Sequence, residues 1–250
     1  MIQIIGPCVI ESRGLIFQIA SKVVPLSQTY GGEWYLKASF DKANRTSHRS
    51  FRGIGMDTGL SVLQDVAKLH KIKTTTDIHE ISQVEDVVSV VDLIQIPALL
   101  CRQTDLLMEA AMSGKKVNIK KGQFMSGRDM EHAINKLMSR MNKEDIYVTE
   151  RGNTFGYNDI VVDFRNIPIM KEFGVKVILD CSHSVQTPGT GRTTSGGNYK
   201  YTEAMALAGR CFGSDGVFIE THPNPIIARS DGASMLPLSL LEDVIKKLHV

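Results

Sequence analysis

Eight short β-type runs, separated by helical patterns, dominate this sequence and leave few folds open to it. Between the runs, apolar residues recur at spacings of three and four, as in residues 15–23 and 240–248, which is the pattern of an amphipathic helix. The β-type runs span residues 2–6, 34–38, 72–76, 92–96, 116–120, 146–149, 175–179 and 216–219. A regular alternation of strand and helix predicts a parallel sheet.

The length of the chain favours one barrel over other parallel-sheet folds. The chain has 250 residues, of which 42% are hydrophobic and 22% charged, and no Pro/Gly-rich linker or shift in composition divides it. Eight strand–helix units in this length match a (β/α)8 TIM barrel, and we predict a single catalytic domain over 1–250. An open doubly wound sheet is the alternative. The sequence has neither a GxGxxG motif after a strand nor a Walker-type loop, so a dinucleotide or P-loop site has little support.

Charge and hydropathy exclude several classes of partner. The net charge of +2 is small and evenly spread, and the basic cluster near Lys37 lacks interleaved aromatic residues, so we expect no nucleic-acid surface. No apolar run approaches the roughly 20 residues of a membrane span and the N-terminus lacks a signal-type segment, so we expect a cytoplasmic protein without membrane contact. The cysteines lie far apart, which in a reducing compartment indicates buried thiols or metal ligands rather than disulfides. They are Cys8, Cys101, Cys181 and Cys211.

A (β/α)8 barrel collects its working residues at the C-terminal ends of its strands. Every predicted strand of this chain has polar residues at its end or just after it. These include Cys8, Lys37, Asp77, Gln95, Lys120, Arg151, His183 and Glu220. One polar residue after a strand is usually a cap or a turn, but eight strands in succession favour a functional site at this end of the barrel.

Cationic and amide side chains form the first of two chemical groups at the strand ends. The stretch KASFDKANRTS, which begins at Lys37, places three cations among small polar residues. Gln95 and Lys120 lie at the ends of later predicted strands, and Arg151 follows another. Such a ring suits a small polyanion that carries a carboxylate and a phosphate. For the stretch from Lys37 alone, a solvated basic turn is the alternative.

The two adjacent lysines after the fifth predicted strand cannot both face such a ligand. Side chains alternate along a strand, so Asn118 and Lys120 share one side and Lys121 lies on the other. We predict that Lys120 faces the mouth of the barrel. Lys121 could instead bond to backbone, or to a phosphate from the loop.

The second group has the side chains of a metal site, at or just beyond strand ends. Its members are Cys8, His183, Glu220 and Asp231. A borderline divalent ion such as Zn²⁺, Fe²⁺ or Mn²⁺ accepts a thiolate, an imidazole and two carboxylates, with positions left for water or substrate. Taken singly, a cysteine is more often a small buried hydrophobe and a histidine a core or surface residue. Cys181, two residues before His183, is an alternative thiolate.

Several longer sequence motifs in the chain are similar to those of one enzyme family. They are GPCVIES from Gly6, KASFDKANRTS from Lys37, TTTDIHE from Thr74, IQIPALLCRQTDL from Ile94, NIKKGQF from Asn118, ERGNTFGYNDIVVDFR from Glu150, DCSHSVQTPG from Asp180 and IETHPNP from Ile219. Over nearly the whole chain they closely resemble the 3-deoxy-D-manno-octulosonate 8-phosphate synthases (KDO8P synthases). The resemblance implies a barrel that condenses phosphoenolpyruvate with arabinose 5-phosphate and water. The products would be the eight-carbon phosphate used for lipopolysaccharide and inorganic phosphate.

The resemblance also implies roles for individual residues. Asn44, Arg45 and Thr46 match the segment that binds the aldose phosphate, and Arg102 matches an arginine that reaches a neighbouring subunit's sugar phosphate in a homotetramer. The implied phosphoenolpyruvate ligands are Lys37, Lys42, Gln95, Lys120 and Arg151. Asp77 completes the substrate-binding set that we predict. The residues on which we expect catalysis to depend are Lys37, Lys42, His183 and Asp231.

Cys8 distinguishes between two branches of that family. The metal-independent branch carries Asn at this position, so the resemblance places the chain with the metal-dependent branch. The implied ligands of a divalent ion are Cys8, His183, Glu220 and Asp231. The ion could position a water or polarise the aldehyde, and His183 could relay a proton. The chain departs from the usual pattern in Asp-Cys-Ser-His from Asp180, where Ala and Thr are commoner, and in Thr46, where Ser is usual.

Three other functions stay open at this point. A DAHP synthase would use erythrose 4-phosphate, but its matching segment has a Lys-Pro-Arg word where this chain reads Lys-Ala-Asn-Arg from Lys42. A sialic acid synthase takes an unphosphorylated sugar and would not need Arg45. A non-catalytic sugar-phosphate-binding barrel would have no reason to keep all four metal-type ligands.

The Gly-rich loop 186–192 could be a lid over the site or a mobile surface loop.

Overall fold

Eight parallel strands close into a barrel in the computed structural model, which describes residues 1–45, 47–154, 158–188 and 195–249. Each strand pairs with the next along the chain, and the eighth pairs back to the first, with Gly216 opposite Ile2. The strands are β1 Ile2–Gly6, β2 Glu33–Lys37, β3 Lys73–Asp77, β4 Leu93–Ile96, β5 Lys116–Lys120, β6 Ile146–Glu150, β7 Lys176–Asp180 and β8 Gly216–His222. The predicted (β/α)8 barrel is confirmed, and the open doubly wound sheet is wrong.

Helices cover the outside of this barrel. They are α1 Arg13–Tyr30, α2 Met56–His70, α3 Val84–Val88, α4 Thr104–Met112, α5 Met130–Met138, α6 Asn166–Lys171, α7 Thr202–Cys211 and α8 Leu241–Leu248. Local sequence sets the ends of α1, because the Ser12 side chain accepts a hydrogen bond from the Leu15 backbone N–H at 3.2 Å and Gly31 follows the last turn with φ +60°. None of the helices in the described ranges is long and apolar enough to cross a membrane.

Two apolar layers fill the barrel and surround it. Inside, a small cluster of side chains packs across the axis. Its members are Ile2, Ile4, Tyr35, Leu93, Tyr147, Ile178 and Phe218. Outside, the opposite faces of the strands, with residues such as Leu36, Ile94 and Leu179, pack against the helices in one large cluster. Because both faces are buried, the strands read as apolar runs in the sequence.

Polar side chains gather around one carboxylate where the strands begin. Glu33 accepts hydrogen bonds from the hydroxyls of Tyr35 and Tyr147, both at 2.7 Å. It also accepts from the ammonium groups of Lys73 at 2.9 Å and Lys116 at 2.8 Å. Burial alone would raise the pKa of Glu33, but these four donors lower the pKa well below its ordinary value. We call these five residues the Glu33 cluster, and they join β2, β3, β5 and β6.

Short two-residue strands extend the other end of the barrel. They are Asn153–Thr154 paired with Ile160–Val161, Gln186–Thr187 paired with Gly196–Gly197, and Leu236–Pro237 beside β8. Part of the predicted lid over residues 186–192 lies outside the described residues, so the lid stays a prediction.

Candidate active site

A cavity of about 340 Å³ opens at the C-terminal ends of the strands. Ten residues that the sequence predicts for the site line it. They are Lys37, Lys42, Asn44, Arg45, Asp77, Gln95, Lys120, Arg151, His183 and Asp231. Cys8 and Glu220 are buried directly behind this wall, where Cys8 contacts Asp231 and Glu220 contacts Lys37. Thr46, which belongs to the predicted aldose-phosphate segment, lies outside the described residues.

Lys37 is held at the end of β2 by buried acceptors. Its Nζ donates to Glu220 Oε1 at 2.6 Å and to the backbone oxygen of Cys8 at 2.7 Å. Burial alone would raise the pKa of Glu220, but Lys37, with His183 and Lys42 nearby, lowers it to about 2. Glu220 is therefore a carboxylate at neutral pH, and the Lys37 ammonium lies beside it in a fixed place.

A directional chain of hydrogen bonds crosses the inner wall from β6 to β3. Thr149 Oγ1 donates to Asn118 Oδ1 at 2.7 Å, and Asn118 Nδ2 donates to Gln95 Oε1 at 3.0 Å. Gln95 Nε2 then donates to Asp77 Oδ1, and Lys42 pairs with the other oxygen of Asp77 at 3.2 Å. We call Thr149, Asn118, Gln95 and Asp77 the polar belt. Burial would raise the pKa of Asp77, but Lys42 and other nearby cations lower it well below its ordinary value, so Asp77 only accepts hydrogen bonds and thereby orients both amides.

Asp180, at the end of β7, connects Lys120 to His183. The Lys120 ammonium donates to Asp180 Oδ2, and His183 Nδ1 lies 2.7 Å from the same oxygen. Asp180 Oδ1 accepts from the backbone N–H groups of Ser182 at 3.0 Å and His183 at 2.8 Å. Burial alone would raise the pKa of Asp180, but His183 and Lys120 lower it well below its ordinary value. Asp180 is missing from the predicted site residues, although its place directly after a predicted strand is a signal for it.

Burial also sets the charge of Lys120. It lowers the pKa of Lys120 to about 8, against the opposing effect of Asp180. The ammonium lies over the ring of Phe218, with Nζ 3.1 Å from the ring centroid. Lys120 is therefore a cation at neutral pH that loses its proton more readily than an ordinary lysine.

Lys121 points away from the cavity, into the wall between β5 and β6. It is fully buried, and its Nζ donates to three backbone oxygens of the adjoining loops and to Asn153 Oδ1 at 2.8 Å. The carboxylate of Glu150 lies 3.5 Å from the same nitrogen. Lys120 thus faces the cavity, and Lys121 bonds to backbone.

Two arginines in the cavity have no ion-pair partner within the described ranges. Arg151, directly after β6, is buried and donates a long hydrogen bond of 3.4 Å from Nη2 to Gln186 Oε1. Burial lowers the pKa of Arg151, but a guanidinium stays protonated at physiological pH. Arg45 donates from Nη1 to Ser230 Oγ at 2.6 Å, and its buried Nε has no described hydrogen-bond partner. Because these two guanidinium groups have N–H donors without a partner among the described residues, the cavity is suited to anions.

Three of the four predicted metal ligands come together. Cys8 Sγ and one carboxylate oxygen each of Glu220 and Asp231 lie within 4.8 Å of one another, and Cys8 Sγ is 3.3 Å from Asp231 Oδ2. Glu220 Oε2 is buried without a hydrogen-bond partner among the described residues. His183 Nε2 lies 3.6 Å from that oxygen, so the fourth predicted ligand borders the group. A divalent cation would satisfy a buried carboxylate oxygen that no donor reaches.

Ser230 adjoins this group and is absent from the predicted site residues. Its buried Oγ accepts hydrogen bonds from Cys8 Sγ at 3.2 Å and from Arg45 Nη1. One hydroxyl thereby connects the cationic side of the cavity to the metal-type ligands. Burial raises the pKa of Cys8 well above its ordinary value, and Glu220 raises it further, so Cys8 is a neutral thiol unless a cation lies beside it.

Cys181 lies apart from the metal-type ligands. Its Sγ points to the Leu179 backbone oxygen at 3.6 Å, and the residue packs in the large apolar cluster. Burial raises the pKa of this thiol well above its ordinary value. Among the described cysteines, Cys8 is the thiol that lies beside two carboxylates.

One family model matches almost the whole chain. It is described as the DAHP synthetase I family, and the match covers residues 1–249. The chain belongs to the DAHP synthetase I family. The strand-end residues described above are therefore those of a member of this family. Individual proteins similar to the chain indicate which enzyme of the family it resembles.

Three similar curated proteins carry the name 2-dehydro-3-deoxyphosphooctonate aldolase. The protein of Campylobacter jejuni subsp. doylei is 46% identical over 258 residues, which cover 99% of this chain and 96% of that protein. The proteins of Francisella tularensis subsp. holarctica and Bordetella petrii are 44% and 46% identical, over 97% and 98% of this chain and 88% of each relative. The name denotes KDO8P synthases, so the resemblance seen in the sequence motifs is confirmed.

Arg102 does not line the cavity of this family member within the described ranges. It is exposed, and it lines a separate surface pocket together with Phe124, His132 and Lys136. The described part of the chain therefore places Arg102 outside its own cavity, and the role of this arginine in a neighbouring subunit's site stays a prediction.

Proposed function

We propose that the chain is a KDO8P synthase, which condenses phosphoenolpyruvate with D-arabinose 5-phosphate and water to give 3-deoxy-D-manno-octulosonate 8-phosphate and phosphate. The observation that carries the proposal is the composition of one cavity, in which a cationic wall adjoins a group of metal-type ligands. The names of the relatives support it. The enzyme would be a transferase whose product serves lipopolysaccharide synthesis.

Phosphoenolpyruvate carries a carboxylate and a phosphate on three carbons, so it needs several cations at short range. Lys120 ends β5 and Arg151 follows the neighbouring β6, and both line the same cavity. Each lysine of the cavity is already paired with a carboxylate, whereas Arg151 has no such partner among the described residues. We therefore expect Arg151 to supply much of the net attraction for the substrate. The other ligands in this proposal are Lys37, Lys42 and Gln95.

The aldose phosphate is expected to bind on the Arg45 side of the cavity. Asn44 is exposed at the rim, and the guanidinium of Arg45 has an unused Nε–H that can donate to a phosphate oxygen. Two substrates bound in one cavity react as an effectively intramolecular pair, with the enol carbon next to the aldehyde carbon. Thr46 belongs to this segment in our prediction.

The thiol and carboxylates beside the cavity fit a divalent cation. The unpartnered Glu220 Oε2 and the contact of Cys8 Sγ with Asp231 support this fit. Cys8, Glu220 and Asp231 would hold the ion, and His183 would bind through Nε2, because its Nδ1 faces Asp180. When bound, such an ion supplies Lewis-acid chemistry, either on a carbonyl or on a water. Zn²⁺, Fe²⁺ and Mn²⁺ all accept this donor set.

The residues of the chain itself orient the reacting groups. Lys37 and Lys42 are each fixed by a carboxylate, so their charges are in place before the phosphate begins to leave and need little reorientation. His183 and Asp231 line the same cavity. With the ion bound, both nitrogens of His183 would be engaged, so the Asp231 oxygen that does not hold the ion would accept the proton of the attacking water.

We also propose a cytoplasmic homotetramer in which Arg102 of one subunit completes the aldose-phosphate site of the next. Support comes from the position of Arg102, which is exposed and lines a pocket other than the cavity. Its guanidinium is suited to bidentate recognition of a phosphate.

Phosphate release from phosphoenolpyruvate, measured with a panel of aldoses, tests the proposed function. Arabinose 5-phosphate should be turned over far better than erythrose 4-phosphate, because Asn44 and Arg45 match the pentose-phosphate segment. Unphosphorylated arabinose is the control, and it should react poorly since Arg45 would have no phosphate to bind. A preference for erythrose 4-phosphate would indicate a DAHP synthase, and binding without turnover would indicate a non-catalytic barrel.

A further inference from the structure

A buried ion pair lies directly behind two residues of the cavity. Lys121 follows β5 and Glu150 ends β6, and both side chains are fully buried, with Nζ 3.5 Å from Oε1. Burial lowers the pKa of Lys121 and raises the pKa of Glu150, so charging either group at this depth is unfavourable. A buried pair of this kind is weak evidence for a contribution to stability, and its contacts point to a different role.

The Lys121 ammonium ties together the loops that follow β5 and β6. In the first loop it donates to the backbone oxygens of Gly122 at 3.2 Å and Met125 at 3.0 Å. In the second it donates to the backbone oxygen of Gly152 at 3.3 Å and to Asn153 Oδ1 at 2.8 Å. Asn153 Nδ2 donates in turn to the Met125 oxygen at 2.7 Å. We call Lys121, Glu150 and Asn153 the loop clamp.

Arg151 lies in the sequence between Glu150 and Asn153, two residues of the loop clamp. The carboxylate of Glu150, the residue before it, accepts a 2.6 Å hydrogen bond from the backbone N–H of Gly152, the residue after it. Gly152 has φ +87°, and a Cβ there would lie 2.4 Å from Ile160 Cγ2, so this turn has little freedom. The guanidinium of Arg151 makes a single long hydrogen bond within the described residues. Its position is therefore set mainly by its backbone.

We infer that Lys121, together with Glu150, is a positioning residue that fixes where Arg151 presents its guanidinium to phosphoenolpyruvate. The inference rests on the proposed function, which makes that substrate the anion bound by Arg151. Gln123 also lines the cavity, and its backbone oxygen accepts from the Thr154 N–H at 3.0 Å, so a second lining residue lies where these two loops bond to each other.

The loop clamp should affect one substrate and not the other. Arg45, on the aldose-phosphate side, lies on the loop after β2 and bonds to Ser230 instead. Loss of the clamp should therefore weaken phosphoenolpyruvate binding while leaving arabinose 5-phosphate binding nearly unchanged. A merely structural role would change both substrates alike.

Steady-state kinetics of the Lys121→Met and Asn153→Ala variants, with each substrate varied separately, test the inference. The KM for phosphoenolpyruvate should rise by about tenfold or more in Lys121→Met, because a small displacement of a positioned group has a large kinetic effect, while the KM for arabinose 5-phosphate should stay within about twofold. Asn153→Ala removes one acceptor of Lys121 and should give a smaller shift in the same direction. It is the milder change, since Asn153 is only partly buried, and it serves if Lys121→Met does not fold. Calorimetric titration with phosphoenolpyruvate gives a readout that does not depend on turnover.

Tyr147→Phe is the matched control. Tyr147 is buried on the same strand as Glu150, but its hydroxyl belongs to the Glu33 cluster at the other end of the barrel. This variant should lose thermal stability without a change in either KM. The inference is overturned if the clamp variants behave like Tyr147→Phe, or if they raise the KM of both substrates equally. If the wild-type enzyme neither binds nor turns over phosphoenolpyruvate, the proposed function fails and the inference with it.

Discussion

Two buried cysteines of this chain show how strongly the surroundings of one residue decide its chemistry. Burial raises the pKa of both Cys8 and Cys181 well above the ordinary value. Cys8 lies beside the carboxylates of Glu220 and Asp231, whereas Cys181 packs in the apolar cluster. A divalent cation would stabilise the thiolate of Cys8 and have no corresponding effect on Cys181.

Replacement of Cys8 by Ser should therefore remove most of the bound metal. A hydroxyl is a much poorer ligand than a thiolate, so the loss of affinity should exceed the roughly 10- to 100-fold that follows when a group supporting a ligand is lost. Metal content after loading with Zn²⁺ or Mn²⁺, measured by atomic absorption, checks this, and circular dichroism should show that the barrel stays folded. Cys181→Ser is the matched control and should keep its metal. The opposite pattern would identify Cys181 as the thiolate ligand, and full activity of chelated wild type would refute the metal site.

The lowered pKa of Lys120 predicts a loss of phosphoenolpyruvate affinity in mildly alkaline solution. A lysine with a pKa of about 8 becomes neutral as the pH rises through that value, so kcat/KM for phosphoenolpyruvate should fall by about tenfold per pH unit above it. Lys120→Arg keeps the charge, because a guanidinium does not titrate in this range. The variant should therefore lack the alkaline limb, whatever its absolute rate. Identical pH profiles for the two proteins would show that another group titrates.

Strands of this barrel serve different purposes at their two ends. Near its start, β6 contributes Tyr147 to the Glu33 cluster, where the hydroxyl donates to Glu33. The same strand ends at Glu150, which belongs to the loop clamp. The residues where the strands begin bond to one another, and those where the strands end face the cavity or support it. Stability and substrate binding can therefore be changed separately within one strand.

Replacement of Glu33 by Gln should destabilise the protein without changing its kinetics. Four donors converge on this partly buried carboxylate, and hydrogen bonds to a charged group contribute about 1.5–3 kcal/mol, so we expect a loss of about 2 kcal/mol near neutral pH. Since the folded-state pKa of Glu33 lies below the unfolded value of about 4.3, the stabilisation is present above that pH and declines as the pH falls below it. Urea unfolding near neutral pH and near pH 3 measures both effects.

The surface pair of Glu203 and Lys247 provides a control for the Glu33 variant. Its carboxylate accepts from the Lys247 ammonium at 2.7 Å on the exposed face of the molecule. Exposed pairs of this kind contribute little, so Glu203→Gln should leave the free energy of unfolding almost unchanged at either pH. An equal effect of the two substitutions would mean that the Glu33 cluster does not stabilise the barrel.

Sequence patterns locate the strands of this molecule better than its short helices. β1 and β5 coincide with the predicted runs 2–6 and 116–120, because strands buried on both faces are continuous apolar runs. The sequence shows no apolar helical spacing over α6, because this helix has six residues, contains Pro168 and is too short to show a helical period. α7 also escapes prediction, since small residues such as Ala206 and Gly209 form its buried face.

Site residues can be predicted where they end a strand, as Lys37 and Lys120 do. The contact between Cys8 and Asp231 spans 223 positions of the sequence, and spacing alone carries no sign of it. The family resemblance supplies that pairing, and closure of the barrel explains it, because β1 lies next to β8. Ser230 has no signal apart from its position next to Asp231.

The surface around Arg102 has the composition of a subunit interface. Arg102 shares its surface pocket with apolar residues, of which Phe124 is 59% exposed. An arginine among apolar side chains is a common composition for a subunit interface. The proposed homotetramer would cover these residues.

A mixing experiment tests whether Arg102 acts between subunits. Arg102→Ala should raise the KM for arabinose 5-phosphate, and Lys42→Met should inactivate its own cavity. If a neighbour supplies Arg102, tetramers that contain both variants have some complete sites, so co-expression should give more activity than either variant alone. Sedimentation of the wild type should show a tetramer. A fully active monomer, or no gain on co-expression, would refute this arrangement.

The polar belt determines the direction of the amide dipoles in the inner wall of the cavity. Each of its two amides could take either of two orientations, but Asp77 only accepts hydrogen bonds and so fixes the orientation of Gln95 and, through it, of Asn118. The Thr149 hydroxyl, which can donate or accept, donates to the second amide. Gln95 and Asp77, the two members that line the cavity, therefore present the same dipoles to every substrate, and little reorganisation free energy is needed when charge moves during the reaction. A proton on Asp77 would remove this constraint and allow both amide groups to reverse their orientation. The charge of one carboxylate therefore maintains the direction of the dipoles in this part of the cavity.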